Sequence, residues 1–361
     1  MRILDKYIAK ETILPVLFGI AAFTSIFVGT ELIDMAKLVV RYGAPLSKAV
    51  LVFLYNLPQI FTYTFPMSVL LATLLSMSRL SSTSEIVAMQ AGGVSFRRII
   101  APVLVVAVIV TGMSFFISEK VAPRANERSA LLMLEIRGGS IPTVTRNVIL
   151  QTHERGIMNW FLYAARFDAK TQIMHDVTIV SLDNGKPVEN TYAEQIVWDE
   201  TGWYMENGVT NRFNADGQVV TVNFAGARQP VDIGQKPQDI VRAQKDPEEM
   251  NIRELSQHIN ILASQGRNVR ELQVKWHSKL AMPFASLIFA LVGAPLGIQP
   301  HRSATSIGFG LSIVVIFIYY VIMTAGEALA QGGYLPPVVG GWIANIFFVV
   351  LGLGLLFRSS R

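Results

Sequence analysis

Hydrophobic and polar positions divide this chain into three parts. The first holds three long apolar runs, at residues 12–36, 45–77 and 99–118. Each is long enough for a helix to cross a bilayer, which takes about 20 residues. The second run exceeds one perpendicular crossing, and Pro58 and Pro66 inside it predict kinks that absorb the excess. From 119 to 271 polar and charged residues rise and the apolar period becomes two. Strands are expected at 147–153, 160–167, 172–182, 189–198, 203–213 and 218–224, with turn signals at Asn184-Gly185, Glu200-Thr201-Gly202 and Asp216-Gly217. Strands so spaced predict an antiparallel sandwich or open roll, one face of each strand apolar. In the second strand Phe161, Tyr163 and Ala165 are taken as that face, and in the third Val177, Ile179 and Ser181, with the opposite register giving Thr178, Val180 and Leu182. A helix is expected over 246–265, with Asp246 as cap, Pro247 in the first turn and Leu255, Ile259 and Leu262 on its apolar face. Three more apolar runs, at 272–298, 306–329 and 338–357, end the chain. The expected fold is therefore membrane α-helical, six spans in a 3+3 arrangement. Its domains are 1–118 with spans one to three, the β insert at 119–271, and 272–361 with spans four to six.

Residues 1–11 put Ile3, Leu4, Tyr7 and Ile8 on one helical face and Arg2, Lys6 and Lys10 towards another, the pattern of an interfacial helix. The apolar run that follows is long enough to remain as a span, so no cleavable leader is expected. Short-loop cations set the orientation. Arg2, Lys6, Lys10, Arg79, Arg97, Arg98, Arg302, Arg358 and Arg361 fall on one side; Lys37, Arg41 and Lys48 fall on the other. The first side, with both termini, is expected to be cytoplasmic and the β insert extracytoplasmic.

One polar stretch interrupts the first three runs, SRLSSTSEIVAMQAGGVSFRR at 78–98. It predicts a short amphipathic helix at about 82–92. Ser82, Thr83 and Ser84 offer N-cap oxygens, Glu85 lies in the first turn, Ile86, Val87 and Met89 give apolar surface, and Gly92-Gly93 ends it. Such a helix on the charged side suits docking to a soluble partner; a solvated loop with snorkelling arginines is the alternative.

Composition narrows the chemistry. Half of the 361 residues are hydrophobic (51%) and only 16% are charged, which suits a multi-span protein. A net charge of +5 without a basic, aromatic-interleaved stripe argues against nucleic acid. There is no cysteine, and the five histidines have no ligand spacing, so no metal or other cofactor is expected. No glycine-rich loop ends in GK[ST], so the chain is not expected to hydrolyse ATP, and no GxSxG or HExxH frame marks a hydrolase.

Several stretches carry a family resemblance. LDKYIAKE at 4–11, SEIVAMQAGGVS at 84–95, GAPLGI at 293–298 and GGYLPPVVGGWIAN at 332–345 occur in order along the predicted topology. Together they resemble the LptF/LptG permease family, membrane subunits of the lipopolysaccharide exporter, across the whole chain. The resemblance implies a periplasmic β-jellyroll as the insert and the inner membrane as location. It implies these partners: a cytoplasmic ABC ATPase dimer, a second permease of the same type, a periplasmic jellyroll bridge protein, a single-span regulator, and lipopolysaccharide. The 82–92 helix then becomes a coupling helix, with Glu85, Ile86 and Met89 its candidate contacts. The F or G role is left open.

Three cation pairs near the outer membrane surface oppose the charge rule: Lys37 with Arg41, Arg124 with Arg128, and Lys275 with Lys279. An i,i+4 spacing on a helix puts each pair on one face, suited to a headgroup phosphate. Snorkelling or local pairing with Glu31, Asp34, Glu119, Glu127 and Glu271 is the alternative. Glu327, late in span five, is a further candidate. Apolar faces on span one (Phe18, Phe23, Ile26, Phe27) and span five (Ile313, Ile316, Ile318, Tyr319, Met323) suit acyl chains or plain packing. The resemblance makes spans one and five a lateral gate, with Phe27, Ile316 and Met323 as candidates. A non-transporting scaffold, whose β domain binds envelope partners, is the alternative function. An ion-coupled transporter fits less well, because the acids cluster near span ends.

Overall fold

Long apolar runs leave the backbone one economical way to satisfy its own polar groups in a membrane, the helix. The structure, a computed structural model, describes residues 3–136, 144–154, 157–168, 171–183, 186–199, 202–213, 219–234, 236–237, 246–264, 268–298 and 305–359. Within them six helices are long and apolar enough to cross a membrane, and an antiparallel sheet is inserted after the third. Contacts divide the chain into a helical unit (Met1–Ile136, Pro247–Leu255, Arg270–Arg361) and a second unit (Arg137–Asp246, Ser256–Val269). The turns expected at 184–185 and 216–217, and residues 200–201 of the third, lie outside the described residues, as do Arg2, Arg302 and Arg361 from the orientation argument.

The helical unit begins with α1, Ile3–Tyr42, then α2, Leu46–Ser82, and the short α3, Glu85–Ala91. The expected interfacial helix is not separate: it is the first turns of α1. Ile8 is fully buried in a cluster with Leu80, Ile86, Phe96, Ile99 and Ile100, so this segment packs into the bundle instead of lying on a surface. α4, Phe96–Phe116, passes through a π-turn at Ile117–Val121 into α5, Ala122–Ile136. The helical unit thus runs well beyond the expected boundary at 118. The polar residues of α5 that signalled a new domain are those of an amphipathic helix, whose Leu132, Met133 and Ile136 pack on Leu38, Ala44, Ala49 and Val52.

In the second unit β1 (Val144–Glu154), β2 (Ile157–Asp168), β3 (Ile173–Asp183), β4 (Lys186–Asp199), β5 (Gly202–Phe213) and β6 (Val219–Asn223) follow one another in sheet order. A further strand, β7 (Gln229–Val231), returns to β5 beside β6. Inward positions do not alternate strictly. They are Leu162, Ala164 and Phe167 on β2, Met174, Val177 and Ile179 on β3, Thr191, Ala193 and Ile196 on β4, and Trp203, Met205, Gly208 and Thr210 on β5. The extra residue falls at one level of the sheet, between the row Ala164–Val177–Ala193–Gly208 and the row Phe167–Met174–Ile196–Met205. Asp176 and Asn207 take positive φ (52° each) at that level, a conformation Asp and Asn tolerate better than most residues. Tyr163 therefore faces outward, 36% exposed, against the alternation reading, while Ile179 faces inward. Gly208 is needed because Phe224 covers it and a Cβ there would strike the ring.

After the insert, a 3-10 turn at Pro247–Glu249 precedes α6, Ile252–Ser264. The cap is Asn251, not Asp246. Asn251 Oδ1 accepts from Glu254 N–H (2.9 Å) and Glu254 Oε2 accepts from Asn251 N–H (3.1 Å), a reciprocal capping box. Then come α7, Arg270–Leu296, α8, Thr305–Gln331, and α9, Pro337–Ser359.

Small residues set how closely these helices approach. A Cβ on Gly340 would strike Ala330 of α8, and one on Gly341 would stand 2.6 Å from His277 Cβ and 2.8 Å from Ser278 N of α7. Asn345, in the same stretch of α9, accepts from Tyr319 OH (2.8 Å) and donates to Ala281 O (2.9 Å), joining three helices inside the bundle.

Candidate functional site

Where α2, α7 and α8 meet the 3-10 turn, a cavity of about 220 Å³ is lined by Gln59, Tyr63, Glu248, Lys275, Lys279 and Glu327, among others. Met323 and Ser278 also face it. Lys275 and Lys279 do share a face, as their spacing predicts, but they are held differently. Lys275 pairs with Glu271 at 3.4 Å, whereas the Lys279 ammonium donates to the Met250 carbonyl. Neighbouring side chains fix the same returning segment. Ile252 N–H donates to both Glu119 oxygens (3.1 and 3.3 Å), Trp276 Nε1 donates to Ile252 O (3.1 Å), and Asn126 donates to Glu248 O (3.2 Å). Glu119 lies in the π-turn, whose extra residue shifts the register of the side chains that follow. Lys279, read from sequence as a headgroup ligand, is thus committed to strapping this segment. With two lysines facing two acids, the cavity suits a polar joint. Among the described residues no cluster of His, Asp and Glu is arranged to hold a metal ion.

A second charged region lies at the end of the bundle where α1 ends, α2 begins and α5 ends. Lys48 of α2 bonds Glu135 of α5 (2.8 Å), and just beneath, Asn56 links Glu31 of α1 (3.1 Å) to Ser129 of α5 (2.8 Å). Lys37, Arg41, Arg124 and Arg128 are all exposed. Lys37 is paired with Asp34 at 2.6 Å, and Arg41 lies over the Tyr42 ring, 5.8 Å from its centroid. Lys37 and Arg41 lie in the last turns of α1, whereas Arg124 and Arg128 lie in the first two turns of α5, where Asn126 reaches Gln59 of α2 at 3.3 Å.

α3 belongs to the opposite end, with the start of α1. Ser84 is its N-cap but has positive φ (62°) and makes no side-chain cap bond. Instead Thr83 Oγ1 and Tyr7 OH both donate to Glu85, each at 2.9 Å. Gly93, at φ +80°, ends the helix, and Val94 N–H returns to Met89 O at 3.0 Å. Ile86 is only 3% exposed and packs in the bundle, with Met89 half-buried beside it. These two anchor α3, contrary to their reading as partner contacts. The free face is Val87, 63% exposed, with Ala88, Gln90 and Ala91.

The proposed gate residues also turn inward. Phe27 stacks on Tyr63 of α2 (6.4 Å), Ile316 is 8% exposed, and Phe27, Ile316 and Met323 belong to one cluster with Leu70, Leu71 and Phe289. The outward stripe of α8 is Ile313, Phe317 and Val321, and Ile26 lies outward on α1. Only 22% of the most apolar stretch of α1, 28% of that of α8 and 33% of that of α9 are buried, against 83% for α2, so these helices leave most of their apolar surface uncovered within the chain.

The whole chain can now be set beside known proteins. The sequence profile described as "Lipopolysaccharide export system permease LptF/LptG" matches residues 6–358. The lipopolysaccharide export system permease protein LptG of Escherichia coli strain K12 is 24% identical over 377 residues, covering 99% of each chain. LptG of Haemophilus influenzae is 22% identical over 367 residues, covering 99% of this chain and 98% of that one. The resembling stretches include glycines packed where helices meet, such as Gly297 against Met77 and Leu74, and the Asn345 junction. With the six apolar helices and the inserted antiparallel sheet in the expected order, this chain is a multi-pass membrane protein that belongs to the LptF/LptG permease family.

Proposed function

We propose that the chain is a permease subunit of an ATP-driven lipopolysaccharide exporter of the bacterial inner membrane. It extracts the glycolipid from the outer leaflet and passes it through the periplasmic β domain to a bridge protein. The carrying observation is the pairing of two sparsely covered apolar helices, α1 and α8, with exposed cations in the last turns of α1 and the first two turns of α5. A molecule with many acyl chains and phosphates needs both surfaces. Lys37, Arg41, Arg124 and Arg128 are its headgroup contacts, and Lys275, at the mouth of the polar cavity, is the weaker candidate.

ATP is hydrolysed by a separate cytoplasmic ATPase dimer, seated on the free face of α3, since this chain has no GK[ST] loop. A second permease faces α1 and α8, and a single-span regulator and the jellyroll bridge complete the assembly. Purification from native membranes should retain an ATPase and a second permease, with lipopolysaccharide detected by mass spectrometry. Retention of envelope proteins with neither ATPase nor glycolipid would make the chain a scaffold instead.

A further inference from the structure

A cavity of about 930 Å³ forms a groove bordered by α1, α2 and α4 at the end of the bundle that carries α3. Its volume is at the upper end of small-molecule sites, roughly 300–1,000 Å³. Its lining changes character along α1. Lys6 and Lys10 stand at the start, and Ile13 and Leu17 continue the same helical stripe at i+7 and i+11 from Lys6. Leu17 lies about 10 Å further into the apolar run than Lys10, at 1.5 Å per residue. Val105 and Ile109 of α4 supply the facing apolar wall.

The charges at the mouth are not balanced. The nearby acid, Glu11, is bound to Arg79 at 2.7 Å, and Asp5 is bound to Arg98 at 2.7 Å. Neither Lys6 nor Lys10 has an ion-pair partner among the described residues, although they stand four residues apart on one face. Two unpaired ammonium groups above an exposed apolar groove, within a membrane-spanning bundle, complement a ligand with an anionic head and acyl chains.

We propose that this groove binds an anionic phospholipid of the leaflet on the side of the termini, its phosphate on Lys6 and Lys10 and its chains along Ile13, Leu17, Val105 and Ile109. The site is separate from the exposed cations of α1 and α5 proposed as headgroup contacts and does not depend on the export reading. Bound there, the lipid fills the space between α1 and α4 close to α3, where α1 also supplies Tyr7 to Glu85.

The test uses the full chain in its native complex, solubilised in mild detergent and exposed to photoactivatable phosphatidylglycerol or phosphatidylethanolamine, with labelled peptides mapped by mass spectrometry. Phosphatidylglycerol should label 13–17 and 105–109 on the order of ten-fold more than phosphatidylethanolamine, the effect of about one charge-assisted contact. Lys6→Gln with Lys10→Gln should reduce that ratio to the value at lipid-facing Val350. Ile109→Trp, which fills the groove and leaves the lysines, should remove the labelling; if the lysine variant fails to assemble, this variant decides. Equal labelling by both lipids, a preference unchanged in both variants, or crosslinks at these positions to a polypeptide or to lipopolysaccharide would overturn the proposal.

Discussion

Asn345 shows what a single polar residue does among apolar helices. Its amide takes the Tyr319 hydroxyl and gives to the Ala281 carbonyl, so all three groups are satisfied where little water competes. Asn345→Leu keeps approximate size but leaves the tyrosine hydroxyl without its acceptor. The expected cost is about 1–2 kcal/mol, since hydrogen bonds between membrane helices are individually modest. Thermal unfolding of the purified complex should show it, with Tyr319→Phe costing less because it loses one of the two bonds and leaves the Asn345–Ala281 bond in place. Gly341→Leu should cost more than either, about 1–3 kcal/mol of overpacking, because the neighbouring atom includes α7 backbone at Ser278. Equal stability of Gly341→Leu and the parent would mean that α7 and α9 do not approach as closely as they do here.

At the scale of an element, α3 has a packed side and an exposed side. Its inner side is Ile86 and Met89; its outer side is Val87, Ala88, Gln90 and Ala91. If the proposed ATPase docks on that outer side, Val87→Asp should weaken its copurification while the chain stays folded. Ile86→Asp buries a carboxylate without a partner and should destabilise the whole bundle. Glu85 holds Tyr7 and Thr83. If Glu85 acts by holding α3 in place, Tyr7→Phe will reproduce part of the Glu85→Gln defect in ATPase association, and the double variant will add little. Independent, additive defects would instead put Glu85 in direct contact with the partner. The seven residues of α3 are too few to be stable as a free helix, so its position depends on these tethers.

At the scale of the whole molecule, charge and cover are distributed unevenly. Replacing Lys37 and Arg41 by Glu should lower retained glycolipid on purification by on the order of ten-fold or more, at about 1.5–3 kcal/mol for each charge-assisted bond lost. Lys37→Glu also breaks the Asp34 pair, but that pair is exposed and contributes little to stability, so lipid retention and thermal stability should respond differently. For a gate that opens between two permeases, the crosslinking position moves from Phe27 and Ile316 to Ile26 and Phe317, the latter 67% exposed. Cysteines at Ile26 here and at the matching outward position of the partner should crosslink and arrest export, in a chain with no cysteine of its own. Efficient crosslinking with undiminished export would exclude a moving gate there.

What the sequence by itself determined was the set of elements and their order. Six apolar runs and a period-two insert are local properties, and bilayer thickness and strand pleat turn them directly into spans and strands. The resembling motifs were legible for the same reason, since short contiguous stretches carry them. Facing was not legible. A soluble helix marks its buried side with apolar residues, but in a membrane both the packed and the lipid-facing sides are apolar, so Phe27 and Ile316 looked no different from Ile26 and Phe317. Only the neighbouring helices decide which side is covered, and small residues such as Gly340 and Gly341 set how close they come. The strand faces failed to follow simple alternation because the positive-φ residues Asp176 and Asn207 shift the phase at one level, a choice that gains its support from pairing across four strands. The same holds for Lys279: its spacing from Lys275 was visible, but its acceptor, the Met250 carbonyl, lies 29 residues away and came to hand only when the chain folded.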